Sequence, residues 1–155
     1  MNFKNLIAIV LLAAIIGCTD DSIYDAYKTF DDATWHADSI ATFHVEIPDT
    51  AKPCDFYINV RNTTDYPYSN LYLFLETHFP DETMARDTIE LLLARPSGEW
   101  LGTGIGHIRE NEFLIRRGLF FPAEGRYGFT LQQGMRQIAL KGISDIGIRI
   151  EITSR

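Results

Sequence analysis

The side chain whose chemistry the sequence defines most sharply is that of Cys18. Lys4 is the only charged residue among positions 1–17, and an unbroken apolar run extends from Leu6 to Ile16, one small residue before the cysteine. A basic start followed by a short apolar run is typical of a secretory signal peptide, and the cysteine at its end is typical of lipoproteins. As a helix, the run spans only about half of the ~30 Å hydrocarbon core, which argues against a permanent transmembrane segment. The sequence therefore predicts a signal peptide over residues 1–17 and palmitate-type acylation of Cys18.

The other residues with potentially catalytic or metal-binding side chains are few, and they do not form a recognisable motif. Cys54 is the one cysteine left once Cys18 is acylated, so no disulfide within the chain is expected. We predict that Cys54 is a small buried side chain at the start of a strand, since a reactive thiol would need a partner. The four histidines lack metal-ligand spacing: His36, His44, His78 and His107. Neither G-x-S-x-G nor H-E-x-x-H occurs. We expect no metal, no cofactor and no enzymatic activity.

A glycine-rich run and three aromatic residues are the remaining candidates. Residues 102–106 read Gly-Thr-Gly-Ile-Gly, but a phosphate-binding loop needs a following helix and a different glycine spacing, so a hairpin loop is the better interpretation. Trp100 is a candidate for ligand contact, such as a stacked sugar, with a core position as the alternative. Tyr66 and Tyr68 lie in a loop and are candidates for ligand or partner contact, with loop packing as the alternative.

The composition favours a single acidic domain. The formal net charge is −7, and residues 18–155 carry about −8 because they lack Lys4. Without a cluster of Lys and Arg, nucleic acid and electrostatic docking on anionic lipid are disfavoured. Contact with the bilayer is therefore expected through the acyl chains of Cys18, since two chains suffice for stable anchoring.

Most of the secondary-structure elements that the sequence predicts are strands. Apolar residues recur at every second position, and the predicted strands lie near residues 43–47, 56–61, 71–76, 88–94, 112–121, 126–132 and 143–152. The segment 71–76 is apolar on both faces, which predicts a central strand. Turn-forming residues at 95–98 predict a hairpin into Trp100. Residues 133–142 have the weakest pattern and are interpreted as a helical turn.

About eight strands with no long amphipathic helix predict an all-β fold, an antiparallel β-sandwich of jelly-roll or Ig-like topology. This single domain is assigned to residues 36–155. Residues 18–35 are acidic, with scattered aromatics and no clear period. We interpret them as a tether whose Phe30 and Trp35 pack onto the domain.

Four stretches, taken in order, carry a resemblance to a known family. They are RNTTDYPYSNLYLFLE (61–76), DTIELLLARPSGEWLGTGIG (87–106), GRYGFTLQQGMR (125–136) and LKGISDIGIRIE (140–151). Together with the signal and Cys18, they resemble the GldH family of gliding-motility lipoproteins of the Bacteroidetes. The resemblance covers nearly the whole chain and implies no catalytic residue. Cys18 matches the lipidated cysteine of the family.

The resemblance implies a non-catalytic lipoprotein of the outer membrane that supports gliding motility and the associated type IX protein secretion, as a membrane-tethered adaptor for other envelope proteins. The periplasmic face is preferred. The cell surface stays open, because Asp20 and Asp21 resemble an acidic surface-export signal of that phylum. The alternative function is a surface glycan-binding module.

Short tripeptides also resemble the acceptor sequence for protein O-glycosylation in that phylum. The candidate acceptors are Ser22, Ser39 and Thr50, each preceded by Asp and followed by an apolar residue. Thr88 has the same context, but its place in a predicted strand makes it a weaker candidate.

Overall fold

The computed structural model describes residues 22–154, and nearly all of its regular structure is β-strand. The ten strands are β1 Ser22–Thr29, β2 Thr34–His36, β3 Ala41–Ile47, β4 Cys54–Thr63, β5 Asn70–His78, β6 Met84–Leu92, β7 Ile108–Leu119, β8 Gly125–Gln133, β9 Ala139–Lys141 and β10 Ile143–Ile152. One turn of 3₁₀ helix, Asp31–Ala33, joins β1 to β2. Within residues 22–154, no helix is long and apolar enough to cross a membrane.

The strands form two four-stranded antiparallel sheets and a small ribbon. One sheet has the order β1-β10-β4-β7, the other β3-β8-β5-β6, and β2 pairs with β9. When the ribbon is set aside, the eight long strands follow the double Greek-key path of a jelly roll, in which the last strand returns to pair with the first. The predicted β-sandwich is therefore confirmed, and the jelly roll is the topology found. As predicted, β5 is central, with β8 and β6 on its two sides.

Alternating side chains of the two sheets form the core. In β3 every second residue is buried, from Ala41 to Ile47, as the period-2 pattern predicts. In β10 the inward residues Ile146, Ile148 and Ile150 are fully buried. Burial of these branched side chains between two sheets is the main source of stability for the fold.

Residues 22–35 belong to the sandwich, which corrects the predicted tether over residues 18–35. Strand β1 pairs with β10 along its length, from Ser22 opposite Glu151 to Thr29 opposite Asp145. The sequence predicts a tether here because polar and apolar residues mix along β1 without clean alternation. Pairing with β10, which the local sequence does not reveal, determines its structure.

Trp35 anchors the segment that follows β1. Its side chain is 0% exposed, and its ring stacks on Phe30 with 4.9 Å between centroids. The indole Nε1–H donates to the carbonyl oxygen of Ser39 at 2.8 Å. The prediction that Phe30 and Trp35 pack onto the domain is confirmed.

The segment 133–142 contains no helix, so the predicted helical turn is wrong. It forms a loop and then β9, which pairs with β2 through Trp35 opposite Leu140. The hairpin predicted at residues 95–98 is confirmed, since Arg95 and Glu99 share a backbone hydrogen bond and Ala94 pairs with Trp100.

Candidate functional site

One side of the jelly roll is open between the two sheets. The edge strands β6 and β7 lie on this side, and a cavity of about 570 Å³ separates them, which is within the range of small ligand pockets. Its walls are mainly apolar and include Phe56, Leu75, Ile89 and Ile115. We call this feature the β6–β7 cleft. Ile89 and Ile115, which a closed sandwich would bury completely, are therefore only half-buried here.

Three charged residues line this apolar cleft: Asp87, Arg116 and Glu90, whose carboxylate accepts a hydrogen bond from the Asn70 amide. Asp87 lies opposite Leu75, whose side chain is in the core, so the carboxylate points to the inner side of the sheet. Arg116 borders the cleft from β7, where it lies opposite Phe56 at a bulge in the pairing of β7 with β4. Within the described part of the chain, Asp87 has no ion-pair partner, and Arg116 makes only a hydrogen bond to the carbonyl of Ile115.

The opposite side of the sandwich is closed. There the edge strands are β1 and β3. The Tyr24 ring meets Phe43 edge-on at 6.5 Å, and the Lys28 ammonium donates to the carbonyl oxygen of Ile40 at 2.9 Å. These contacts cover the gap between the sheets, whereas no hydrogen bond, ion pair or ring contact joins β6 to β7 within residues 22–154.

Strand β6 is a long and regular edge. It pairs with β5 from Met84 opposite His78 to Leu92 opposite Asn70, without a register shift. Its other edge is not paired with any strand of the described chain. It contains no proline and no bulge, two devices that commonly blunt edge strands. The charge of Asp87 on the inner side is a third such device.

A second surface lies on the outer face of the β1-β10-β4-β7 sheet, and we call it the Tyr–Arg face. The Arg61 guanidinium lies over the Tyr27 ring at 4.5 Å, and that of Arg149 lies over Tyr57 at the same distance. Burial is the main reason why the pKa values of both tyrosines are raised. Because the guanidinium groups cover these rings, the rings are poorly placed to stack on sugars.

Ion pairs extend the Tyr–Arg face across the sheet. Arg61 pairs with Glu110 at 2.7 Å, and Arg149 reaches Glu112 at 3.0 Å and Glu151 at 3.2 Å. The Oδ1 of Asn59, on the same strand as Arg61, is buried without a hydrogen-bond partner among residues 22–154. Each of these charges therefore takes part in an ion pair within the chain, with three carboxylates facing two guanidinium groups.

The three aromatic residues predicted as contact candidates do not lie exposed together. Tyr66 is buried, and its hydroxyl donates to the carbonyl oxygen of Asn70 at 2.8 Å. Burial raises the pKa of Tyr66 far above its usual value. Tyr68 is half-buried against the edge of that ring, at 5.6 Å, and Trp100 is half-buried against the core. Loop packing accounts for both tyrosines, and no exposed aromatic row exists at these three positions.

The glycine-rich run is a tight hairpin loop, as predicted. Thr103 and Glu110 exchange two backbone hydrogen bonds of 2.9 and 2.7 Å. Gly104 has a φ of +146°, and a Cβ there would collide with the carbonyl oxygen of Ile108. Ile105, at the tip, is 99% exposed.

Cys54 is buried at the start of β4, as predicted. Burial raises the pKa of its thiol, so the thiolate is disfavoured at neutral pH. His44 and His78 flank Gly128 from the two neighbouring strands, a proximity that the sequence does not reveal. Among residues 22–154, no group of three or more His, Cys, Asp or Glu side chains is placed to hold a metal ion.

The three predicted O-glycosylation sites differ in the secondary structure around them. Ser39 and Thr50 are half-exposed in loops, and Ser22 is the half-exposed first residue of β1. Asp49 accepts a hydrogen bond from the backbone N–H of Ala51, which fixes the turn around Thr50. Cys18 and the predicted signal peptide lie outside the described residues.

Sequence reasoning did not single out Asp87 and Arg116 at the cleft. Asp87 interrupts a row of apolar residues at alternate positions, namely Ala85, Ile89 and Leu91. A single charge on an otherwise apolar strand face was the available signal. No local signal marks Arg116, because its place at the cleft depends on the bulged pairing of β7 with β4.

Comparison with known proteins gives consistent relatives. The family model described as GldH lipoprotein matches residues 22–150. A gliding motility lipoprotein GldH homolog of Christiangramia forsetii is 36% identical over 156 residues, which cover 96% of this chain and 95% of the relative. The gliding motility lipoprotein GldH of Flavobacterium johnsoniae is 34% identical, over 97% of this chain and 98% of the relative.

Among solved structures, the chain is distantly similar to the Yersinia pseudotuberculosis-derived mitogen. The sequence identity is 6%, the TM-score is 0.37, and 85% of this chain and 88% of the mitogen are covered. A TM-score this low does not establish a shared fold.

Proposed function

Because the chain belongs to the GldH lipoprotein family, we propose that it is a non-catalytic, membrane-tethered adaptor that supports gliding motility and the associated type IX secretion. It binds other proteins of the cell envelope. The observation that carries the adaptor role is the open side of the sandwich, where a cleft with apolar walls lies beside an unpaired edge strand. Accessible apolar surface of this kind is characteristic of binding sites.

The anchor in this proposal is the acylated Cys18. Since β1 begins at Ser22, only residues 19–21 separate the lipidated residue from the sheet, and a fully extended chain of that length reaches at most about 14 Å. The domain is thus held against the bilayer. The outer membrane is the proposed location, with the periplasmic face preferred and the cell surface as the alternative.

This short link also orients the sandwich. The end that carries Ser22 also carries the start of β4 at Cys54 and the end of β7 at Leu119. Phe120, directly after β7, is 59% exposed. An exposed aromatic ring at the membrane-proximal end suits the bilayer interface, where aromatic side chains are favoured.

The glycan-binding alternative has less support. It calls for exposed aromatic platforms, but Tyr66 is buried and Trp100 is half-buried. Guanidinium groups cover the rings of Tyr27 and Tyr57. Screening of the purified protein on a glycan array tests this alternative, and binding that Trp100→Ala abolishes would favour it over the adaptor role.

O-glycosylation at Ser22, Ser39 or Thr50 is a further part of the proposal. The half-exposed positions of Ser39 and Thr50 in loops suit an enzyme that modifies folded protein. Mass spectrometry of the native protein is the test. A hexose-containing adduct at one of these residues supports modification, and its absence at all three removes the idea.

The adaptor role is tested in the native bacterium. We expect a palmitate analogue to label the wild-type protein but not Cys18→Ser, and we expect cross-linked envelope proteins to co-purify with a tagged copy. Deletion should impair secretion or spreading, and restoration by wild type but not by Cys18→Ser links the function to the anchor. A wild-type protein that takes up no label refutes the anchor. A labelled protein that captures no envelope protein refutes the adaptor role.

A further inference from the structure

The β6–β7 cleft lies beside a sheet edge to which a further strand could be added. No strand within residues 22–154 pairs with the outer edge of β6. The inward side chains of both edge strands are only partly covered, namely Ile89 on β6 and Phe113 on β7. A fifth strand beside β6 would extend the β3-β8-β5-β6 sheet over these side chains. It would close this side as Tyr24 and Phe43 close the other.

The charge of Asp87 restricts which side chains an added strand can place beside β6. Asp87 points to the inner side of β6 and has no ion pair among residues 22–154, with the half-buried Ile89 two positions along on the same face. An added strand places one inward side chain beside Asp87 and the next ones two residues away on either side. An acidic or apolar residue beside Asp87 would leave the carboxylate desolvated and unpaired, which is costly, whereas Lys or Arg would pair with it.

We propose that β6 binds an extended segment of a partner protein as an added strand, with a basic side chain of that segment against Asp87 and apolar side chains two residues away on either side entering the cleft. This mode of recognition combines main-chain hydrogen bonds, which give affinity, with side-chain pockets, which give specificity. The inference rests on the proposed adaptor function and specifies the chemistry of the partner.

The regularity of β6 supports this occupant. A register shift or a bulge would interrupt the hydrogen-bond ladder that an added strand needs, and β6 has neither along Met84–Leu92. In contrast, β7 has register shifts near Arg116, and residue 103 already pairs with it at Glu110. The free edge of β6 is therefore the better template.

Synthetic peptides provide the test. The probes are ten-residue peptides of alternating Val and Thr that differ at one central inward position, which is Lys, Glu or Ala. The protein is purified from envelopes and reconstituted in nanodiscs, and hydrogen exchange by mass spectrometry reports where each peptide protects the backbone. We expect the Lys peptide to slow exchange in Met84–Leu92 and to bind at least tenfold more tightly than the Glu peptide.

Charge reversal supplies the matched variants. Asp87→Lys should invert the preference in favour of the Glu peptide, while Glu46→Lys, on the exposed outer face of the other edge strand β3, should leave the preference unchanged. Asp87→Asn, a milder change, should reduce the difference between the peptides even if Asp87→Lys folds poorly.

Three outcomes overturn the inference: no peptide protects β6, all three peptides bind equally, or protection appears only outside β6. Failure of the adaptor role looks different, because the native protein would then capture no envelope protein at all. If envelope proteins are captured while no peptide binds β6, the adaptor role is supported and the proposal of an added strand is refuted.

Discussion

Asp87 and Leu75 lie opposite each other in the β5–β6 hairpin, and both side chains point between the sheets. Leu75 is 6% exposed and belongs to the core, whereas Asp87 is exposed. Two neighbours on one face thus have opposite environments because the sandwich is open at β6 and closed at β5. This boundary between core and cleft defines the candidate binding side.

Asp87 is expected to prevent self-association at this edge. An inward charge on an edge strand discourages pairing with a second copy, so Asp87→Leu should make the purified protein associate in a concentration-dependent manner. Analytical ultracentrifugation measures this. Asp25→Leu, a matched change on the exposed face of the edge strand β1, should leave the protein monomeric. Association of both variants, or of neither, would contradict the role given to Asp87.

The burial of Trp35 makes the segment before residue 36 part of the domain. Removal of a fully buried Trp typically costs 3–5 kcal/mol, so we expect Trp35→Ala to lower the free energy of unfolding by about that amount. Trp100→Ala removes a half-buried ring and should cost clearly less. Urea unfolding followed by circular dichroism measures both. Equal effects would contradict the integration of residues 22–35.

Gly142 and Gly98 provide a matched pair for backbone crowding. Both have positive φ values, +93° and +85°, but a Cβ at Gly142 would lie 2.7 Å from the Cα of Tyr66, and one at Gly98 would meet nothing within 4 Å. Both alanine variants suffer the cost of positive φ. Only Gly142→Ala adds overpacking, so it should be less stable than Gly98→Ala by about 1–3 kcal/mol in thermal or urea unfolding. Equal stabilities would mean that Tyr66 moves away without cost.

Asp55 should make the stability of the fold sensitive to acid. Its pKa is lowered, mainly by the hydrogen bond from the Thr153 hydroxyl at 2.6 Å and further by the backbone N–H of Gly118 at 2.8 Å. A carboxyl whose folded pKa lies below its unfolded value of about 3.9 stabilises the protein above that pH, and this contribution is lost as the pH falls through the folded pKa.

The variant Asp55→Asn isolates this effect. We expect it to lower the free energy of unfolding at pH 7 by about 1–3 kcal/mol, since a charged acceptor with two donors is lost. We also expect the loss of stability as the pH falls below about 4 to be shallower than in wild type. A parallel pH dependence in the two proteins would show that Asp55 does not contribute to it.

How far the sequence predicts this fold depends on where each strand lies. Strands such as β3, with one face buried, alternate cleanly, and the sequence places them well. Strand β1 does not follow this rule, because none of its residues is fully buried and its pattern predicts a tether, although β3 is also an edge strand. The short β9 was missed because its only partner is β2, a strand more than 100 positions earlier in the chain.

The candidate site, like the fold, could be predicted from the sequence only in part. Trp100, Tyr66 and Tyr68 were plausible from residue type alone, but their exposure depends on loop packing that no local pattern encodes. Asp87 could be recognised in the sequence as a single charge within a row of apolar residues. The cleft itself could not, because it depends on the distance between the edge strands β6 and β7. Accessible clefts of this kind become visible only in three dimensions.

In-cell photo-crosslinking shows whether the protein contacts its partners through the open side of the sandwich. A photoreactive phenylalanine derivative is placed at position 88, exposed on β6, or at position 42, exposed on β3 at the closed side. We predict a discrete crosslink to another envelope protein from position 88, and none of comparable strength from position 42. Crosslinks from position 42 alone, or from neither position while motility is intact, would contradict the account.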